Sequence, residues 1–157
     1  MKRIAYLFVC LVFLGLTAFE CGNGKDCCAM PPCSEVASLA GTWRLDYFQN
    51  TTTGAIDKDP GISGKSVVLT FSDDQKNGTI AGHTFVNTVT GAYTLGPNCT
   101  FKISSFGGSK VGEPEWSGKA WLPSDSTGGK GSYHVQSDKL ILKFDRNPEQ
   151  LVFKKDK

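Results

Sequence analysis

Two different patterns of hydrophobic and polar residues divide this chain. Near the N-terminus, residues 4–16 form a nearly unbroken apolar run that follows Lys2 and Arg3. From Leu39 onward, short segments in which apolar and polar residues alternate are separated by turn residues. Alternation places every second side chain on one face of a strand. The body of the chain therefore predicts half-buried antiparallel β-strands.

About eight strands are predicted from this alternation. In the first strand, Trp43 and Leu45 share one face. Asn77-Gly78 predicts a hairpin turn in which these residues supply the positive φ, and the polar residues 50–64 predict a long loop. The predicted strands cover residues 42–48, 66–71, 79–81, 88–95, 99–105, 131–135, 139–144 and 150–153.

One short helix is predicted near residues 113–122, after the fifth strand. Glu113 and Pro114 open it, because acidic residues and proline are favoured in the first turn. Trp116 and Ala120 lie four residues apart and would face the sheet. The predicted fold is therefore mainly β (α+β by strict count), a small antiparallel barrel-like domain of about eight strands with this helix.

The apolar run near the N-terminus predicts export. A basic start followed by a 13-residue apolar stretch fits a secretory signal peptide, residues 1–20, and is short for a membrane span. A retained membrane anchor is the alternative. Residues 16–21, Leu-Thr-Ala-Phe-Glu-Cys, resemble a bacterial lipoprotein cleavage site, which makes Cys21 the candidate lipid anchor. The predicted location is the cell envelope, either as a membrane-anchored lipoprotein or as a periplasmic or secreted protein.

Export would place the remaining cysteines in an oxidising compartment, where disulfides form. Residues 21–38 are predicted to form a Cys-rich flexible tether with Cys27, Cys28 and Cys33, and Cys99 lies in the predicted domain. Adjacent cysteines rarely bond to each other because the geometry is strained. We therefore expect Cys33 to pair with one of the adjacent cysteines and Cys99 with the other. A metal site of the three tether cysteines is disfavoured, because no Cys-x-x-Cys spacing occurs and no His is near.

Composition and motifs limit the possible activities. The 17 Lys and Arg residues nearly balance the 15 Asp and Glu residues, which excludes nucleic-acid binding through a basic surface. The chain has two histidines, His83 and His134, and no Gly-x-Ser-x-Gly nucleophile motif. The glycine-rich residues 107–110 lack the spacing of a phosphate-binding loop. We therefore predict a protein that is not an enzyme and has no catalytic residues, cofactor or resident metal.

The other polar candidates have structural interpretations. Asp73 and Asp74 fall in the predicted hairpin turn, where solvated acids are common, and Glu113 is interpreted as an acid at a helix start. Asn87 can bond neighbouring amides in a tight corner of the chain. A binding site formed by His83 and Asn87 is the functional alternative.

Two segments carry a resemblance to a known family. Leu39–Leu45 resembles the opening Gly-x-Trp strand of the META/HslJ-like family, and residues 80–93 resemble its central Gly, Asn and Gly-x-Tyr pattern. Val86 stands where the family often has a cysteine. The resemblance covers about residues 39–154. The matching motif positions are Gly41, Trp43, Gly82, Asn87, Gly91 and Tyr93.

The resemblance implies a small exported bacterial domain, often a lipoprotein, that is associated with stress or antibiotic resistance and has no general catalytic site. We therefore expect residues 39–157 to form a META/HslJ-like β domain that contacts an unknown envelope protein or supports stress tolerance. The membrane would be a partner through the lipid anchor. The alternative is a lipocalin-like binder of a small apolar ligand, since lipocalins also open on Gly-x-Trp and eight strands can enclose one ligand. A cavity of a few hundred Å³ would distinguish the two functions.

Overall fold

A computed structural model describes residues 37–157. The predictions for the signal peptide, residues 1–20, and for residues 21–36 of the tether lie outside this part of the chain. The strands are β1 (Gly41–Asn50), β2 (Ile56–Lys58), β3 (Val68–Asp73), β4 (Asn77–His83), β5 (Thr88–Gly96), β6 (Thr100–Gly108), β7 (Lys130–Gln136), β8 (Lys139–Phe144) and β9 (Glu149–Lys155). The helix α1 (Glu115–Gly118) and a 3-10 turn (Asp125–Thr127) lie between β6 and β7.

The strands form one antiparallel sheet in the order β2-β1-β3-β4-β5-β6-β7-β8-β9. β1 also pairs with β9, which brings the two sides of the sheet together. β3 pairs with the first half of β1 and β2 with the second half. The sheet therefore closes nearly into a ring, and the predicted mainly β fold of about eight strands with one short helix is confirmed.

Alternate side chains of the strands fill the interior of the ring. β1 contributes Trp43, Leu45 and Phe48, and each of these side chains is at most 2% exposed. A bulge between Leu45 and Tyr47 changes the alternation, so that Phe48 faces the core while Tyr47 is half-buried. Bulges of this kind bend a strand and change which side chain faces inward. Further buried residues are Leu69, Phe71, Ile80, Val89, Tyr93, Phe101, Ile103, Tyr133, Leu140, Leu142, Phe144, Leu151 and Phe153.

The two ends of the ring differ in what closes them. The register pairs Asp73 with Gly78 and Gly78 with Tyr93, so the β3–β4 and β5–β6 turns lie at one end, which we call the hairpin end. At the opposite end, Val68 pairs with His83 at the start of the β4–β5 turn. The segment that contains α1 also leaves β6 at this end, which we call the helix end.

The β3–β4 turn differs from the sequence prediction. Gln75 has the left-handed backbone, with φ of 69°, whereas Asn77 and Gly78 already belong to β4. The Asp73 carboxylate accepts a hydrogen bond from the Gln75 N–H, and the Asp74 carboxylate accepts bonds from the N–H groups of Lys76 and Asn77. The prediction that Asn77-Gly78 supply the positive φ is therefore wrong, because these carboxylates stabilise a turn centred two residues earlier.

The segment predicted as a loop over residues 50–64 contains the short strand β2. Its three residues are all exposed and pair with Tyr47, Phe48 and Gln49. No helix within residues 37–157 combines the length and the apolar character needed to cross a membrane.

Candidate functional site

Glu113 is the centre of a polar cluster at the helix end. Its carboxylate accepts hydrogen bonds from Thr84 Oγ1 at 2.7 Å and from Ser117 Oγ at 2.5 Å. It also accepts bonds from Asn87 Nδ2 at 2.5 Å and from the Phe85 N–H at 3.1 Å. Burial opposes ionisation, but the bonds from Ser117, Thr84 and Asn87 outweigh it and hold the pKa of Glu113 below its usual range.

Asn87 connects this cluster to the chain that follows β6. Its side chain is buried, with a residue exposure of 3%. Oδ1 accepts bonds from the Val111 N–H at 2.7 Å and from Ser109 Oγ at 3.0 Å. Nδ2 donates to the Val111 carbonyl at 2.9 Å as well as to Glu113. The amide therefore fastens the segment before α1 to the β4–β5 turn.

Aromatic packing seals the helix end above the cluster. The Trp116 ring of α1 stacks on Phe85, with centroids 5.5 Å apart, and meets Phe48 edge-on at 5.3 Å. Ala120 and Leu122, which follow α1, are buried in the core. The segment from α1 to Leu122 thus acts as a plug in the helix end.

Lys119 holds this plug to the sheet. Its Nζ lies 2.9 Å from the carboxylate of Asp57 in β2 and 3.1 Å from that of Glu149 in β9. The same Nζ lies 4.6 Å from the centroid of the Phe48 ring, within the range of a cation–π contact. A single cation therefore joins the plug to two strands.

Asp73 is the centre of a second polar cluster, at the hairpin end. Its Oδ2 accepts hydrogen bonds from Tyr93 Oη at 2.7 Å, Ser38 Oγ at 3.0 Å and the Leu39 N–H at 3.0 Å. Burial opposes ionisation, but the bonds from Tyr93 and the Gln75 N–H outweigh it and lower the pKa of Asp73. Burial, together with the bond to Asp73, raises the pKa of Tyr93, which therefore stays protonated.

The Asp73 cluster fastens the chain where it enters the ring. Leu39 is 1% exposed, and its carbonyl accepts a bond from Trp43 Nε1 at 2.9 Å. Gly41 packs against the same indole: a Cβ at this position would lie 3.0 Å from Nε1. The opening Gly-x-Trp motif therefore seats the first strand and the two residues before it.

The central motif residues lie on neighbouring strands. A Cβ at Gly82 would lie 2.1 Å from the Val68 carbonyl oxygen of β3, and one at Gly91 would lie 2.6 Å from the Ser105 carbonyl oxygen of β6. These two glycines are therefore required for close strand packing. The structure brings Asn87 to the Glu113 cluster and Tyr93 to the Asp73 cluster, at opposite ends of the ring.

The histidines do not form a common site. His83 is exposed at the helix end, and its Nδ1 lies 3.0 Å from the Thr84 carbonyl oxygen. His134 lies on β7, three strands away in the sheet order. Within residues 37–157, no group of three or more His, Cys, Asp and Glu side chains is placed to hold a metal ion.

Cys99 is half-buried at the hairpin end, with φ of 53°. The other disulfide candidates, Cys27, Cys28 and Cys33, lie outside the described residues, as does the candidate lipid anchor Cys21. Their pairing and modification therefore stay predictions.

Sequence reasoning missed the roles of the two carboxylates. Asp73 was assigned to a solvated turn and Glu113 to the first turn of a helix, but α1 begins at Glu115 and Glu113 precedes it. The available signal was Thr84 and Asn87, two polar residues on either side of the apolar pair Phe85-Val86. Buried polar groups require partners, and the acid Glu113, which follows the next two strands, could have supplied one.

The comparisons with known proteins bear on the fold. No protein-family model and no curated protein matches this chain. A solved structure that is similar to it is the NMR structure of a protein from Burkholderia xenovorans, with a TM-score of 0.59 and 18% sequence identity. The match covers 88% of this chain and 99% of that chain. At this identity the likeness shows a shared fold alone.

Proposed function

We propose that this chain is a non-enzymatic exported protein of the cell envelope, a lipoprotein anchored at Cys21, whose META/HslJ-like domain contacts another envelope protein or supports stress tolerance. The observation that carries the non-enzymatic assignment is that the carboxylates of Asp73 and Glu113 are both occupied by hydrogen bonds within the protein. Asp73 and Glu113 each accept four hydrogen bonds from the protein itself. Both side chains therefore hold chain segments in place.

The electrostatics of the clusters support a structural role. A general acid or base works best when its pKa lies near the operating pH. The internal hydrogen bonds lower the pKa of both Asp73 and Glu113, away from neutrality. These groups are thus kept ionised as acceptors, which suits the fastening of a turn and a plug.

The position of the N-terminal residues supports a tethered domain. Ser38 and Leu39 enter the ring at the hairpin end, where Asp73 holds them. The chain between Cys21 and Ser38 can span at most about 60 Å when fully extended. An anchor at Cys21 would thus join the domain at its hairpin end, and the opposite helix end, where Val86 and Val111 are exposed, would be available to a partner.

The packed interior favours the interaction role over the lipocalin-like alternative. Large side chains from several strands, among them Trp43, Phe71, Tyr93 and Phe153, occupy the space in which a lipocalin holds its ligand. A carrier function would require these side chains to move apart. Native mass spectrometry tests the alternative, because a carried ligand would appear as an additional non-covalent mass.

Anchoring is tested with the full chain expressed in a bacterial host. The expected result is a membrane-fraction protein whose N-terminal peptide begins at an acylated Cys21. C21S should release the protein from the membrane fraction, whereas C10S, a matched cysteine change within the predicted signal peptide, should not. Recovery of the C21S protein in the membrane fraction would contradict the lipoprotein assignment.

Contact with a partner is tested by site-specific photo-crosslinking in cells. A crosslinking amino acid at position 111, in the helix end, should capture an envelope protein. The matched control carries the crosslinker at position 74, which is exposed at the hairpin end. Equal capture at both positions, or capture at neither, would contradict an interaction surface at the helix end.

A further inference from the structure

A groove on the outer face of the sheet brings five charged side chains together. It consists of two adjoining depressions of about 350 and 320 Å³, which share Lys102, Lys130 and Asp145 as lining residues. The first depression is also lined by Asp125, Gly128, Gly129 and Arg146. We call this surface the charged groove. Each depression alone is within the size range of small-molecule sites.

Separate elements bring these charges to the groove. Lys102 of β6 pairs in register with Lys130, the first residue of β7. The Asp145 N–H donates to the Lys130 carbonyl at 3.0 Å, which places the end of β8 beside them. The Arg146 side chain lies against Gly128, since a Cβ at that glycine would be 3.3 Å from Arg146 Cδ. Arg146 is therefore positioned by packing although it is exposed.

Only part of the charge in the groove is compensated. Lys102 Nζ lies 2.8 Å from Asp125 Oδ1, so these two charges neutralise each other. Lys130, Asp145 and Arg146 form no ion pair with any residue in the described range 37–157. Two cations against one carboxylate leave a net charge of +1, which matches a ligand with one negative group.

The second depression of the groove is uncharged apart from the shared residues. Besides the shared residues, it is lined by Thr94, Leu95, Gly96, Thr100 and Phe101, of which the two threonines carry hydroxyl groups. Thr100 Oγ1 donates to the Pro97 carbonyl at 2.8 Å, so its lone pairs are available to a ligand donor. Such a surface suits a neutral ligand portion that carries hydroxyl groups.

We propose that the charged groove binds a small hydroxylated monocarboxylate of the sugar-acid class. The guanidinium of Arg146 and the ammonium of Lys130 hold the carboxylate, for which the planar guanidinium provides paired donors. Asp145 and the threonine hydroxyls accept hydrogen bonds from the ligand's hydroxyl groups. The site goes beyond the proposed function and does not depend on whether Cys21 is acylated. Because the cations are exposed, binding should be weak and should decrease with added salt.

The test is an NMR titration of the ¹⁵N-labelled full chain with glucuronate at low salt. The expected result is a saturable shift of the amide signals of Gly128, Gly129, Lys130 and Arg146. Glucose, which lacks the carboxylate, should produce no such shift, and acetate, which lacks the hydroxyl groups, should bind more weakly than glucuronate. Equal affinity for acetate and glucuronate would overturn the sugar-acid assignment.

Two variants test the named cations. R146Q and K130Q should each weaken glucuronate binding by up to about fivefold, the range expected for an exposed charge pair. K139Q, the same change at the other end of β8, should bind glucuronate like the unmodified protein. Shifts spread evenly over surface lysines, or equal affinities for R146Q and K139Q, would overturn the proposal. The unchanged signals of core residues serve as the control for folding.

Discussion

Asn87 Nδ2 donates a hydrogen bond to Glu113 Oε2 at 2.5 Å and so joins the β4–β5 turn to the chain that leads into α1. The two residues are 26 positions apart, and β5 and β6 lie between them in sequence. The same amide also binds both backbone polar groups of Val111, so one buried side chain fixes the segment before the plug at two positions.

The first prediction concerns N87A. This change removes the side-chain acceptor of the Val111 N–H and one of the four hydrogen bonds that the Glu113 carboxylate accepts, and each such loss costs about 1–3 kcal/mol. We expect the free energy of unfolding, measured by urea denaturation, to decrease by about 2–4 kcal/mol. T90A, on the exposed face of β5, is the matched control and should change it by less than about 0.5 kcal/mol. A decrease in N87A no larger than that of T90A would contradict the role of Asn87.

The second prediction concerns the pH dependence of stability. Folding lowers the pKa of Glu113 below its ordinary value of 4.5. At a pH between the folded-state pKa and the unfolded-state pKa, the unfolded chain therefore binds more protons than the folded chain. The stabilisation is therefore complete above that ordinary value and is lost as the pH falls through the lowered pKa. Asp73 contributes in the same direction. We expect the free energy of unfolding to decrease steeply with acidification in this window.

E113Q separates the contribution of Glu113 from that of the other acids. The amide cannot accept all four hydrogen bonds, so E113Q should be less stable at pH 7 and should lose less stability between pH 7 and pH 3. E115Q changes an exposed carboxyl two residues away and is the control. Urea unfolding at both pH values measures the difference, and parallel pH profiles for E113Q and the unmodified protein would refute the assignment.

The alternating pattern predicted the strands because burial on one face is a local property that the sequence shows directly. β2 was missed because Ile56, Asp57 and Lys58 are all exposed and carry no alternation. The two polar clusters were not predictable in the same way, because their partners are distant in sequence. Asp73 binds Ser38, 35 positions away, and Glu113 binds Thr84, 29 positions away. Such pairs depend on strand register, which a single sequence does not specify.

The third prediction concerns Y93F. The change removes the hydroxyl that donates to Asp73 at 2.7 Å and retains the ring, which packs edge-on against Phe71 at 5.6 Å. A hydrogen bond to a charged group contributes about 1.5–3 kcal/mol, and we expect a loss of stability of that size. Hydrogen exchange of the Leu39 amide should also accelerate, since the same carboxylate holds it. Y47F is the control, and slow exchange at Leu39 in Y93F would show that the Asp73 cluster does not act as a unit.

The last prediction compares two glycines of the same sheet, Gly82 in β4 and Gly107 in β6. At Gly82 the backbone has φ of +156°, and an added Cβ would lie 2.1 Å from the Val68 carbonyl oxygen, a backbone atom that cannot move without separating β3 from β4. At Gly107 in β6 an added Cβ would meet no atom within 4 Å. G82A should therefore destabilise the protein by about 3 kcal/mol or more, through steric overlap and backbone strain. G107A should stay within about 0.5 kcal/mol of the unmodified protein. Thermal and urea unfolding of the two variants measure the difference. Both variants add the same methyl group, so equal stabilities would show that close packing is not the reason for glycine at position 82.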